Sequence, residues 1–143
     1  MSTTIVGSTD DGFTLVELLV VMIILGVVAA IAIPVFLTQR AKAHDASTKT
    51  DVTNVGKEIA TYYVDGGVGL SLDLAVEPGR GVLSDGTWSQ SIQLTNGTAA
   101  PTAGSTSALD NATGWCVSLT DPDGQVKDFK YTARSGLETG TCT

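Results

Sequence analysis

The sequence predicts an α+β fold in which one long N-terminal helix packs on a small antiparallel sheet. Three observations predict it. Residues 13–36 form a continuous apolar run. Residues 37–64 keep apolar side chains at spacings of three and four, on one helical face. After Asp65-Gly66-Gly67 the apolar period changes to two, the period of half-buried strands.

The first half of the helix, residues 13–36, is 24 residues long. About 20 residues suffice to span a bilayer as a helix, so membrane lipid is its expected first environment. Gly26 loosens the run, and Pro34 removes a backbone donor and crowds the preceding turn. Membranes tolerate both, but they make Gly26–Pro34 the stretch most easily unwound. In residues 37–64, Thr48, Val52, Val55, Ile59 and Tyr62/Tyr63 mark one face. Lys49, Asp51, Asn54, Lys57 and Glu58 occupy the others, and His44 beside Asp45 reads as a solvated face. The glycines after Val64 stand in the usual stop position. One helix from about Phe13 to Val64 would be roughly 78 Å long at its standard rise.

The remaining segment, residues 65–143, reads as a sheet domain. Val68, Leu70, Leu72, Leu74 and Val76 alternate with Gly69, Ser71, Asp73 and Ala75. Alternation returns at Trp88-x-x-x-Ile92-x-Leu94, at Trp115-x-Val117-x-Leu119 and at Phe129-x-Tyr131-x-Ala133. Turns are expected at Pro78-Gly79, Asp85-Gly86 and Asp121-Pro122-Asp123-Gly124. About four strands follow from this count. Residues 96–114, rich in Thr, Ala, Ser and Gly, read as an exposed loop.

Charge and chemistry narrow the function. The formal charge is -7. Residues beyond Phe36 hold 8 Lys and Arg against 12 acids. Nucleic-acid binding rests on clustered Lys and Arg that neutralise phosphates, so this balance argues against DNA as a partner. The single His has no Ser or Cys in a nucleophile arrangement, and there is no phosphate loop. No active site and no cofactor are expected. Cys116 and Cys142 lack the CxxC spacing of a redox or zinc site. They are free thiols or, outside the cytoplasm, a disulfide. Asp121 and Asp123, with Asp128 beyond, faintly resemble a calcium loop, but the closing Glu of an EF-hand is missing. A plain turn is the preferred reading. Asn96-Gly97-Thr98 and Asn111-Ala112-Thr113 fit the glycosylation sequon.

The residue that demands an explanation is Glu17. It is the only ionisable group in residues 13–36. An acid costs about 2.5–3.5 kcal/mol near the centre of a membrane helix, and less near an end. No cation lies near it in this chain, which points to one supplied by another molecule.

Gly12-Phe13-Thr14-Leu15-Val16-Glu17, followed by the apolar run, resembles the processing site of type IV prepilins and of type II secretion pseudopilins. Gly26 and Pro34 also match positions common in that family's helix. The close resemblance covers about residues 12–36. It implies a type IV pilin-like fold with a C-terminal disulfide between Cys116 and Cys142. It also implies a leader, residues 1–12, removed by a prepilin peptidase that cuts after Gly12 and methylates the new amine of Phe13. The subunit would wait in the bacterial cell membrane with residues 65–143 outside. Assembly machinery, with an inner platform protein and a cytoplasmic ATPase, would then draw it into an extracellular filament of identical subunits. Glu17 would pair there with the Phe13 amine of a neighbour, and Gly26–Pro34 would be free to unwind. The primary expectation is the major pilin of a type IV pilus. A secretion pseudopilin or a competence pilin for DNA uptake is the alternative, and a membrane-anchored enzyme with a chance motif is the remaining one. The leader departs from the basic type usual in the family, with Asp10-Asp11 before the span and Arg40, Lys42 and Lys49 after it. Counting Lys and Arg alone would place the C-terminal domain inside.

Overall fold

The computed structural model describes residues 12–77, 79–95, 106–107, 109 and 111–142. The leader before Gly12, Pro78, the sequon at Asn96 and most of the 96–114 loop lie outside these residues. The chain divides into two compact units, Met1–Leu37 and Thr38–Thr143.

One helix, α1 (Leu15–Val64), carries the N-terminal half of the chain without a break. Its end follows the local sequence. The amides of Asp65, Gly66 and Gly67 return to the carbonyls of Thr61, Tyr63 and Tyr62, and Gly66 takes a φ of 84°. That left-handed turn favours glycine.

Among the described residues, the unit Thr38–Thr143 contains seven strands. They are β1 (Ser71–Glu77), β2 (Arg80–Ser84), β3 (Ser89–Gln93), β4 (Thr106–Ser107), β5 (Cys116–Thr120), β6 (Asp128–Thr132) and β7 (Gly136–Thr139). They form two antiparallel sheets, β1-β2-β3 and β4-β5-β6-β7. The α+β class stands, but the expected sheet of about four strands is instead one sheet of three and one of four among the described residues. β2 escaped notice because Gly79 and Gly81 interrupt its apolar pattern. β4 is a two-residue strand inside the segment read as a loop, and β7 is a mostly exposed edge. The first strand starts at Ser71, later than Val68, because Gly69 has a φ of 70° and turns the chain. Trp88 precedes β3 and remains 39% exposed.

The helical stripe packs as its periodicity indicated. Val52, Val55 and Ile59 are fully buried against Leu70, Leu83, Ile92, Trp115, Val117, Leu119 and Phe129. Gly56 lies within this stripe, and its lack of a side chain admits Tyr131 of β6. A Cβ there would sit 2.5 Å from the tyrosine ring. Strand β5 is buried on both faces from Cys116 to Leu119. Cys116 and Cys142 form the implied disulfide, which fastens the C-terminus to this central strand.

Candidate functional site

Every residue from 12 to 40 is exposed. Within α1 the most apolar 18-residue window has a mean hydropathy of 3.1 and none of it is buried. Monomeric soluble proteins rarely expose contiguous apolar patches beyond a few hundred Å². The helix is long and apolar enough to cross a membrane. Gly26 has no atom within 4 Å of an added Cβ, so its side faces open space. The helix runs through Pro34 without interruption.

At the start of the helix, Glu17 is held by Thr14. The Thr14 amide donates to Glu17 Oε2 at 2.9 Å and the Thr14 hydroxyl donates to the same oxygen at 2.7 Å. The Glu17 amide donates back to Thr14 Oγ1 at 3.2 Å. This is a reciprocal capping box, which satisfies helix-start donors that lack intrahelical partners. The Thr-x-x-Glu spacing that signals it was present in the sequence. The sequence reading considered only a cation for Glu17 and passed over these hydrogen bonds. Threonine supplies no cation, so the cap leaves the charge of Glu17 in place. Gly12 and Phe13 precede the helix and are exposed.

In the unit Thr38–Thr143, buried acids tie α1 to the sheets. Asp51, assigned from sequence to a polar face, is 2% exposed. It accepts the Thr95 amide at 2.8 Å and the Thr95 hydroxyl at 2.9 Å. Asp45 is also buried and accepts the amides of Val126 and Lys127. Gly124 passes so close to Asp45 that an added Cβ would clash with Oδ1. His44 does not lie on a solvated face. Its Nδ1 is 2.9 Å from Oδ2 of Asp121, which is wholly buried. These residues escaped the sequence reading because their partners are remote in the chain, Thr95 lying 44 positions from Asp51 and Asp121 lying 77 from His44.

The candidate acids of the β5–β6 turn separate. Asp121 Oδ1 accepts the Asp123 amide, and Asp128 Oδ1 accepts the Thr120 hydroxyl. His44, Asp121 and Asp123 come together, while Asp128 is not of that group. Between β2 and β3, Asp85 gathers the amides of Thr87 and Trp88 and the hydroxyls of Thr87 and Tyr62. Those donors, the Thr87 amide foremost, hold its carboxyl well below the usual carboxylate range. Partial burial pushes the Tyr62 phenol up, and the Asp85 carboxylate adds to it.

A family model for the prokaryotic N-terminal methylation motif matches residues 8–33. That span contains Gly12, Phe13 and Glu17. A fimbrial protein of Neisseria meningitidis is 28% identical over 122 residues, covering 84% of this chain and 72% of the relative. The motif and both kinds of relative support a type IV pilin or pseudopilin family for this chain. The type II secretion system core protein G of Vibrio cholerae is 33% identical over 68 residues, 48% of this chain and 47% of that protein. No solved structure gave a significant match. That family consists of structural subunits.

Proposed function

We propose that this pilin-family chain is the major subunit of a type IV pilus and polymerises through the exposed helix of residues 13–36. The observation that carries this reading is the combination of the methylation motif with similarity to a fimbrial protein across 84% of the chain. The similarity to the secretion protein G spans 48% of the chain, which favours the pilus over the pseudopilus. No catalytic role is assigned.

In this reading a prepilin peptidase cuts between Gly12 and Phe13 and methylates the Phe13 amine. Thr14 becomes the second residue of the mature chain, so both partners of the capping box survive the cut. Lipid covers the apolar helix before assembly, and neighbouring helices cover it in the filament. A lone buried charge is expensive unless paired, and the Phe13 amine of a staggered neighbour is a cation that can reach Glu17. Attraction between the two would set the register of assembly. Gly26 and Pro34 would let the core helix lengthen locally. The assembly platform and its ATPase would extract the subunit from the membrane and deliver it to the cell surface.

Mass spectrometry of the mature protein tests the cut and the methyl group together. The expected N-terminus is N-methyl-Phe13. An intact N-terminus at Met1, or normal maturation with a large residue at Gly12, would refute the processing site. Abundance of the chain in sheared surface filaments supports the major-pilin reading. Lost protein export with no filaments would move it to the pseudopilin.

A further inference from the structure

We propose that His44, Asp121 and Asp123 form a binding site for a borderline divalent transition metal such as Zn²⁺, linking α1 to the turn between β5 and β6. One ligand atom from each residue lies within 4.8 Å of the others. Tetrahedral zinc, with ligands at about 2.0–2.2 Å, places those ligands roughly 3.3–3.5 Å apart, so a small closure suffices. His44 Nδ1 and Asp121 Oδ2 are already 2.9 Å apart. The two elements are separated by 77 positions in sequence and meet at this point.

Charge and donor chemistry favour a cation here. Asp121 is wholly buried and Asp45 beside the turn is 7% exposed. Among the described residues, no Lys or Arg pairs with Asp45, Asp121 or Asp123. Two buried carboxylates beside one turn are costly to hold, and a divalent ion would offset that cost. The Asp123 carboxylate is exposed and accepts no hydrogen bond among the described residues, so it is available as a ligand and marks the solvent side. On the buried side, Asp121 Oδ1 is fixed by the Asp123 amide at 3.0 Å, which orients the ligating oxygen.

The donor set also selects the ion. Calcium requires six to eight oxygens. This turn offers few, because Asp128 serves Thr120 and Asp45 serves the amides of Val126 and Lys127. An imidazole nitrogen with two carboxylates suits zinc, nickel or cobalt instead. Both cysteines are in the disulfide, so no thiol competes. On binding, the ion would stand between His44 Nδ1 and Asp121 Oδ2, and water would complete its coordination.

The probe is Co²⁺, added to the chelator-treated full chain in detergent micelles. One equivalent should bind and give the visible ligand-field absorption of a low-coordinate site. Zn²⁺ should displace it, and Ca²⁺ should not. Asp123→Asn, which disturbs no hydrogen bond, and His44→Gln should each weaken Zn²⁺ binding by about tenfold or more, with circular dichroism unchanged. Absent absorption, or binding unaltered in both variants, would overturn the site. Displacement of Co²⁺ by Ca²⁺ as readily as by Zn²⁺ would overturn the assignment of metal class.

Discussion

Glu17 has two properties that a single variant separates. It closes a capping box with Thr14, and it carries a charge that threonine cannot cancel. Glutamine keeps the capping geometry and removes the charge. Glu17→Gln should therefore be processed normally yet give few sheared filaments, as should Glu17→Ala. Normal filament yield from the glutamine variant would assign Glu17 to helix capping alone. Asp85 supplies a second residue-scale prediction. Its folded carboxyl is held low by the Thr87 and Trp88 amides, so folding favours the charged form. Its contribution is present above the ordinary carboxylate value, about 3.9, and is lost as pH falls through the folded value. Tyr62 has the opposite sign, contributing below the ordinary phenol range and losing that contribution at high pH. Denaturant midpoints measured from pH 7 downward should converge for wild type and Asp85→Asn. Parallel curves would remove Asp85 from the acid response.

At the scale of elements, the seat of α1 on β6 depends on Gly56. Overpacking a fitted core costs typically 1–3 kcal/mol. Gly56→Ala brings a methyl to 2.5 Å from the Tyr131 ring, while a mid-helix alanine gains about 1 kcal/mol in helix propensity. The clash is with a ring packed 6.0 Å from Trp115, so it should win, and urea unfolding should show net destabilisation. A more stable variant would mean that Tyr131 moves freely. The disulfide works at the same scale. Closing its separation of 26 residues stabilises by about 3.5 kcal/mol in the chain-entropy model. Much of this scale was legible beforehand. The stripe of Val52, Val55 and Ile59 and the glycine stop after Val64 both followed from spacing. β2 and β7 were not legible, because glycine breaks one pattern and the other is an exposed edge whose partner, β6, fixes it.

For the molecule as a whole, orientation is the open consequence of the charge pattern. Arg40, Lys42 and Lys49 follow the apolar run, and the positive-inside rule alone would keep residues 65–143 inside. The proposed pilus requires them outside, where the Cys116–Cys142 disulfide also persists. An epitope placed after Thr143 should be cleaved by protease added to intact cells that lack an outer barrier, or to spheroplasts. Resistance there, with cleavage after lysis, would reverse the topology. The -7 formal charge leaves the argument against DNA binding unchanged, since the basic groups remain few.

The apolar helix, the match to the methylation motif and the α+β class were all readable from the chain alone, because each rests on local spacing or on residues adjacent in the chain. Tertiary structure alone decided that His44, Asp45 and Asp51 are anchors of α1 and not a solvated face. Their partners at Asp121, Val126 and Thr95 are distant in sequence, and a helical pattern records which residues are polar without recording what they meet. Glu17 stands between these cases. Thr14 three residues away made its cap readable from the sequence, while the pairing of its charge belongs to the proposed assembly.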